Sequence, residues 1–436
     1  HDKFGATEFL GYQTETAEGQ VQAILIGGEI APTAKAGDEV MIVLNQTAFY
    51  AESGGQEGDC GDLVSDKGLK IEVSATQKKE NLFVHIGKVV EGTVSTGDVV
   101  DTQVRNARRA RLKAHHSATH LLHEALRQRL GDHVTQKGSL VAEDRLRFDI
   151  AHTKPISDAE LRQIEKDVND HIRINAEVEI QLTTPDEAIK AGAMALFGEK
   201  YGDEVRVISM GGPAPAKGAG RSYSTELCGG THVSRTGDIG FVKIVSESGL
   251  AAGVRRIEAV AGAAALDYVN EREQLLVDAA SVLKSSPTDL TSRVSGLLDE
   301  RKRLEKELKE TRKKLATGGG AGADQPAETV GGHSFVARIL EDVPPKDLKP
   351  MADDIKAQIK SGVIVLIAAN EGKASIVVGV TDDLTGQISA VDLVKVGSEA
   401  LGGKGGGGRP DMAQAGGPDA SKGETAIEAI KASIAT

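Results

Sequence analysis

Residues 114–123 read Ala114-His115-His116-Ser117-Ala118-Thr119-His120-Leu121-Leu122-His123, within a stretch from Thr102 to Leu130 whose pattern predicts a helix rich in Arg and His. Residues four apart lie on one helix face, so His116 and His120 can offer two imidazoles to one ion. His123 falls near the same stripe, where it serves either to orient a ligand or to pack the helix; His115 points elsewhere. Far downstream, Leu227-Cys228-Gly229-Gly230-Thr231-His232 offers a thiolate and another imidazole. The two glycines there let the backbone turn so that both side chains point one way. Together the four make a Cys-His₃ set, and imidazole and thiolate are the ligands that Zn²⁺ prefers. The competing reading places the histidines on a solvated helix face and makes Cys228 a small core residue.

The rest of the chain frames this pattern. A length of 436 residues implies about two to four domains rather than one core. With 39% hydrophobic and 27% charged residues the composition is that of a globular protein, not a disordered or fibrous one. No apolar run reaches the roughly 18 to 20 residues that span a bilayer, and the N-terminus shows no signal-peptide pattern. The chain reads as cytoplasmic, with no membrane partner. Only two cysteines occur, Cys60 and Cys228, far apart, which favours reduced thiols over a disulfide framework. The net charge of −12 excludes a generally basic nucleic-acid binder, so any RNA contact must come from local patches. The chain opens at His1 inside what reads as a strand-rich domain, which suggests a piece of something longer.

From Phe9 to Val104, short β-type runs (Val21 to Ile26, Val40 to Leu44, Leu69 to Val73, Leu82 to Val90) alternate with Gly, Asp and Thr turns, which predicts a small barrel. After the His-rich helix come a strand pair around Gly138 to Ile150 and an amphipathic helix from Ser157 to Ile174. That helix opens on a capping box of Ser157 and Glu160. Mixed strands continue to Gly262. Residues 263–317 turn long, charged and helical, with a break at Ser285-Ser286-Pro287 that implies a helical hairpin. Its second arm sets Leu290, Val294, Leu297, Leu304, Leu308 and Leu315 on a seven-residue repeat, interrupted by Arg301 and Thr311. Residues 318–330 read as a flexible Gly/Ala/Pro linker. Beyond it lie the buried strand Gly362 to Ala369, a second strand Ala374 to Val380, a helix from Ser389, a glycine-rich loop and a closing helix after Gly423.

Several of these segments in combination resemble the editing domain of alanyl-tRNA synthetases. They are Thr47-Ala48-Phe49-Tyr50, Ser53-Gly54-Gly55-Gln56, the His116/His120 helix, Arg145-Leu146-Arg147-Phe148-Asp149, and Cys228 to His232 followed by Gly237 to Ile239. The related domain of threonyl-tRNA synthetases and the freestanding alanyl-tRNA editing proteins share the metal motifs. The hairpin and the C-terminal glycine-rich domain look like the remainder of a bacterial-type enzyme, so the resemblance covers nearly the whole chain. It implies an α+β multidomain protein: a small β-barrel (1–101), a zinc-containing α+β editing domain (102–262), a helical hairpin (263–317), the linker (318–330), and a C-terminal α/β domain (331–436) that binds tRNA, with a homodimer possible through the hairpin and the C-terminal domain. It further implies one zinc per chain at His116, His120, Cys228 and His232, and hydrolysis of the ester in Ser-tRNA and Gly-tRNA mischarged on tRNA for alanine. A class II aminoacylation domain is expected to lie outside the chain, since nothing in it reads as one.

Such an activity has a physical reason. A pocket built for alanine cannot refuse glycine and rejects the added hydroxyl of serine weakly, so a second, hydrolytic sieve is useful. Sparing alanine then requires a polar side chain for the serine hydroxyl, and Thr47 and Gln136 are the candidates the resemblance supports. Gly54 and Gly55 let backbone approach a ribose or phosphate, or else form a plain tight turn. Cys60 reads as inert. Arg105, Arg108, Arg109, Arg111 and Lys113 would place a positive stripe beside the metal helix, facing an acceptor stem or simply solvent. Lys404 and Arg409, in the loop Gly402 to Pro410, are the tRNA contacts expected at the C-terminus, against the rival of a structural loop; the loop lacks the spacing of a Walker motif. Four protein ligands fill a tetrahedron, and no motif supplies an obvious general base. Two further hypotheses stand beside the editing one: a freestanding editing hydrolase, and a non-catalytic tRNA-binding or dimerisation module with structural zinc.

Overall fold

In the computed structural model, residues 5–190, 192–194, 202–213, 222–317, 327–341 and 343–435 are described. They form two compact units, 1–278 and 279–436. No described helix is long and apolar enough to cross a membrane.

In the first unit, strands of alternating buried and exposed residues roll into a barrel. Leu69, Ile71 and Val73 point inward while Lys70 and Glu72 face out, the two-residue period of a strand with one buried face. Six antiparallel strands close in the order Thr16–Ile26, Val99–Val104, Gly61–Ser65, Leu69–Lys79, Leu82–Glu91, Glu39–Leu44 and back to the first. Closure removes the sheet edges and packs Ile24, Ile42, Leu44, Leu63, Ile71 and Val89 in one core. The sequence placed Thr102 at the start of a helix. The structure corrects this: Thr102 lies in the closing strand, its hydroxyl donating to the Ala17 carbonyl at 2.9 Å, and helix α1 runs Asn106–Leu130.

Inside the barrel, the buried His85 ring is fixed at both nitrogens. Nδ1 lies 3.1 Å from the Ile42 carbonyl and Nε2 lies 2.8 Å from the Thr47 hydroxyl. Burial lowers its pKa from 6.5 to about 4, against a smaller opposing effect of the Ile42 bond. Its contribution to stability is therefore complete above pH 6.5, where the unfolded chain is also neutral. It is lost as pH falls from 6.5 to 4, because the unfolded chain then binds a proton the folded one refuses. The loss is on the order of 3 kcal/mol. In urea titrations across that window the wild type is expected to lose this much more than His85→Gln does; equal slopes would show that His85 is not the group responsible.

Helix α1 runs through the centre of the remaining layer, buried on nearly all sides from Ala114 to Leu126. Two antiparallel sheets flank it. One orders Gln136–Val141, Leu146–Ala151, Val254–Ala261 and Val242–Ala251; the other orders Glu179–Thr183, Val205–Pro213 and Ser222–Leu227. Helix α2 (Asp158–Arg173) opens on the Ser157/Glu160 capping box and buries Ile164, Val168 and Ile172 in the same core as Leu121, Leu122 and Phe148. The turn Ser53–Gln56 joins barrel to layer: Val141 N–H donates to the Gly55 carbonyl at 2.7 Å and Glu57 N–H to the Val141 carbonyl at 3.0 Å. Gly55 is required there. It has φ +83°, and a Cβ would stand 2.5 Å from the Ser139 carbonyl oxygen.

Helix Gly262–Val282 leads out of the first unit, and in the second a short 3₁₀ turn capped by Ser286, with Pro287 in its first turn, precedes helix Leu290–Thr317. Of the expected linker, residues 318–326 lie outside the described residues. Its last part is a correction, because Glu328–Val330 is a strand paired with His333–Glu341. A six-stranded sheet then orders Glu328–Val330, His333–Glu341, Gly362–Asn370, Lys373–Val380, Met412–Gly417 and Gly406–Arg409. The one parallel pair in it is joined through helix Pro345–Ile359. The glycine-rich segment expected as a loop is instead a β-hairpin, Gly406–Arg409 pairing with Met412–Gly417. Its glycines answer to packing: a Cβ on Gly406 would meet Val394 Cγ1 at 2.9 Å and Ala415 Cβ at 2.6 Å.

Candidate metal centre

Helix spacing puts the His116 and His120 rings in a stack 5.3 Å apart, and the segment after strand Ser222–Leu227 brings Cys228 and His232 to the same point. One ligand atom from each of the four residues lies within 4.8 Å of the others. Cys228 Sγ is 3.4 Å from His116 Nε2 and 3.3 Å from His232 Nε2. A tetrahedral zinc with ordinary bond lengths holds its ligand atoms about 3.3 to 3.8 Å apart.

Each imidazole is oriented from behind. His116 Nδ1 donates to Gln56 Oε1 at 2.7 Å, His120 Nδ1 to Glu226 Oε2 at 2.7 Å, and His232 Nδ1 sits 3.2 Å from the Ser117 hydroxyl. With Nδ1 occupied, it is the Nε2 atoms that are left to face one point, the arrangement that metal-binding histidines require. His120 Nε2 is buried without a hydrogen-bond partner among the described residues, as a ligand atom would be. The donor set therefore fits a single zinc.

Charge supports the same arrangement. Burial opposes ionisation of Cys228, but the neighbouring His116, His232 and His120 outweigh it and hold the thiol well below its ordinary pKa of 9.0. For His120, burial is outweighed by Glu226 and Cys228, which raise it to about 10. His232 goes the other way, to about 3, through burial and then the adjacent His116. Burial also works against the Glu226 carboxylate, yet His120 and His123 keep it well below the usual carboxylate range. Glu226 is thus an ionised acceptor with two imidazole N–H donors.

The cluster opens on a pocket of about 580 Å³ walled by Tyr12, Tyr50, Gly54, His123, Gln136 and Arg206 among others. Tyr12 donates to the Gly229 carbonyl at 2.6 Å while the Arg206 guanidinium lies 3.6 Å over its ring and donates to the Gly230 carbonyl at 2.9 Å. These contacts clamp the Cys228–His232 segment from outside. Both tyrosines are held above their ordinary pKa, chiefly by burial, so the phenols stay protonated.

Cys228 and His232 do point one way, as expected of the segment between them, and glycines 229 and 230 allow this without left-handed backbone. Gly230 matters for room: a Cβ would fall 2.0 Å from His116 Cε1. Of the candidates for serine recognition, Gln136 lines the pocket and Thr47 does not. The Thr47 hydroxyl is fully buried in the barrel, engaged by His85 and by the Phe49 N–H at 3.1 Å. Gly54, at φ +58°, lies on the pocket wall; Gly55 lies behind it against Ser139.

Of the basic residues expected to form a positive stripe along α1, Arg109 is a correction and the others are paired with carboxylates. Arg109 is wholly buried, in a bidentate ion pair with Asp59 and with donors to the Gly11 and Ala48 carbonyls at 2.9 and 2.8 Å. Arg108 pairs with Glu57 at 2.7 Å, Arg111 with Asp267 at 2.9 Å, Lys113 with Glu15 at 3.2 Å and Arg105 with Glu72 at 3.6 Å. Carboxylates from the barrel and from helix Gly262–Val282 compensate the charges that the sequence shows as a cluster. In the second unit Lys404 is exposed, and Arg409 is exposed on the edge strand beside Asp411 at 3.1 Å.

Sequence reasoning did not single out Gln56, Glu226, Ser117 or Arg206. Glu226 carried a signal, since it stands two residues before Cys228 at the end of a strand, where alternate side chains share a face. Arg206 carried none; only the fold brings it to Tyr12.

Comparison with known proteins gives this geometry a context. A family model described as "tRNA synthetases class II (A)" matches residues 1–108, one described as "Threonyl and Alanyl tRNA synthetase second additional domain" matches 205–258, and the DHHA1 domain matches 331–436. The first overturns the expectation that nothing in the chain resembles a class II synthetase; the barrel strands lie within the residues it matches. Cys228 and His232 fall inside the second. Curated proteins named alanine–tRNA ligase are similar along the whole chain: 59% identity in Mesorhizobium japonicum over 99% of this chain, 58% in Chelativorans sp. over 100%, and 56% in Paramagnetospirillum magneticum over 99%. The chain spans about half the length of these relatives, 49% of each. A solved structure, the C-Ala domain from Aquifex aeolicus alanyl-tRNA synthetase, is 28% identical over 25% of this chain and 97% of its own, with a TM-score of 0.24. With matching domain models in sequence order and 55–59% identity from end to end, the chain belongs to the alanyl-tRNA synthetase family.

Proposed function

We propose that the pocket hydrolyses the ester of mischarged aminoacyl-tRNA, with seryl and glycyl esters on tRNA for alanine as substrates and one zinc at His116, His120, Cys228 and His232. The observation that carries this reading is the convergence of four metal-preferring donors, each imidazole oriented from behind, at the wall of a pocket large enough for an aminoacylated ribose. Four protein donors complete a tetrahedron, so bound zinc supplies substrate orientation and ester polarisation more readily than a free hydroxide. Gln136, on the pocket wall, hydrogen-bonds the serine hydroxyl that alanine lacks. Thr47 acts only through the barrel wall beneath Phe49 and Tyr50. Gly54 admits the ribose close to backbone. Lys404 and Arg409 supply exposed cations for the tRNA backbone in the second unit. Helix Leu290–Thr317 exposes Leu304 and Leu308 on its repeat, which supports association with a second copy.

The closed donor set also favours a second reading, a tRNA-binding module whose zinc is structural. Deacylation of Ser-tRNA and Ala-tRNA, both on tRNA for alanine, with and without chelator, separates the two. Selective, chelator-sensitive loss of the seryl ester is expected. No turnover by zinc-loaded protein would leave the structural reading standing.

A further inference from the structure

Resting on the deacylase reading above, we propose that His123 is the general base of this site: its Nε2 takes the proton from the water that attacks the ester, and Glu226 holds the ring for that task.

Four observations lead there. His123 lines the pocket together with His116, His120 and Cys228, yet it is not one of the four converging donors. Its Nδ1 lies 3.0 Å from Glu226 Oε1, while the other oxygen of the same carboxylate receives His120 Nδ1 at 2.7 Å. A carboxylate with two imidazole donors only accepts, so the His123 proton resides on Nδ1 and Nε2 keeps its lone pair. That Nε2 is buried and has no hydrogen-bond partner among the described residues. A buried acceptor without a partner costs free energy unless something in the pocket fills it, and a hydrolytic water is the molecule this chemistry needs. The ring is also held in place by the edge of Phe148, with centroids 5.1 Å apart at 64°.

The other imidazole nitrogens without a partner among the described residues do not compete. His120 Nε2 belongs to the donor cluster, and His115 does not line the pocket.

The step balances. Water oxygen bonds to the acyl carbon as its proton passes to His123 Nε2. The tetrahedral adduct then collapses, the bond from acyl carbon to ribose oxygen breaks, and that oxygen takes the proton back from Nε2. Free amino acid and tRNA leave, and His123 is neutral again. Because Glu226 grips both His120 and His123, one carboxylate fixes the base relative to the metal donors.

The test uses the full 436-residue chain loaded with zinc, with His123→Asn, His123→Gln and His123→Ala measured against wild type. Asparagine places an amide donor near the original Nδ1 and so keeps the Glu226 contact, but offers no Nε2. Glutamine keeps more of the ring's length against Phe148. For both, kcat on Ser-tRNA is expected to fall about 10²- to 10⁴-fold with KM and zinc stoichiometry near wild type. Added imidazole is expected to restore turnover to His123→Ala, which a packing role would not allow. Wild-type kcat in His123→Asn, or loss of zinc along with activity in both folded polar variants, would overturn the assignment. An inactive wild type would instead sink the deacylase reading on which it stands.

Discussion

Replacing Cys228 with alanine is expected to remove stoichiometric zinc from the chain and abolish its hydrolysis of seryl-tRNA, the largest effect on activity of any single change outside the proposed base. The reason lies in what the thiolate does for its neighbours. Its sulfur lies within 3.4 Å of two imidazole nitrogens and is the only anionic donor of the four. Without it three histidines meet at one point with no anionic donor among them to face a dication. Loss of an outer partner of a metal ligand usually costs about 10- to 100-fold in affinity, and loss of the charged ligand itself should exceed that. Metal analysis of the purified variant, followed by a deacylation assay at saturating zinc, checks this. The fold should survive, because the donors sit at the surface of a core built from Leu121, Leu122, Phe148 and Ile257. Full zinc occupancy and full turnover in Cys228→Ala would refute the whole assignment of the site.

The largest effect on stability is expected from Arg109→Leu. This guanidinium is among the largest fully buried side chains, and it ties the first turns of α1 to Gly11, Ala48 and Asp59 of the barrel side. Asp59 in turn receives the Tyr50 N–H at 2.7 Å, so the pair sets the chain path from the barrel to the pocket wall. Removing the arginine strands a carboxylate in the interior, which costs about 3 to 5 kcal/mol, whereas removing both partners costs less. Arg109→Leu should therefore lower the urea midpoint strongly, and Arg109→Leu/Asp59→Leu should recover part of the loss. Lysine is no remedy, since a single ammonium cannot reproduce the planar fork that reaches three acceptor groups. A single variant no less stable than the double would show that the buried charge is not what matters.

The two variants mark the limits of what could be read from residues in order. The His116/His120 pair was legible because helical spacing is local, and the strand runs were legible because alternation is local. The same local reading misjudged the arginines of α1. In sequence Arg105, Arg108, Arg109, Arg111 and Lys113 form a basic cluster, but their counter-charges come from Glu15, Glu57, Asp59, Glu72 and Asp267, separated by up to 156 residues. The glycines at 229 and 230 were legible as the means by which Cys228 and His232 point one way, but that Gly230 also makes room for the His116 ring was not.

The sequence by itself determined the donors and the elements that carry them: which imidazoles share a helix face, which thiol stands four residues from a third imidazole, and which runs become strands. Only the tertiary structure decided how those donors are held and what faces them. Gln56, Ser117 and Glu226 orient the rings, Thr47 is drawn into the barrel by His85, and His123 is left with a bare nitrogen on the pocket wall. The physical reason is that periodicity is a property of neighbouring residues, while hydrogen-bond partners and compensating charges are chosen by whichever distant segments the packed core brings within 3 Å or so.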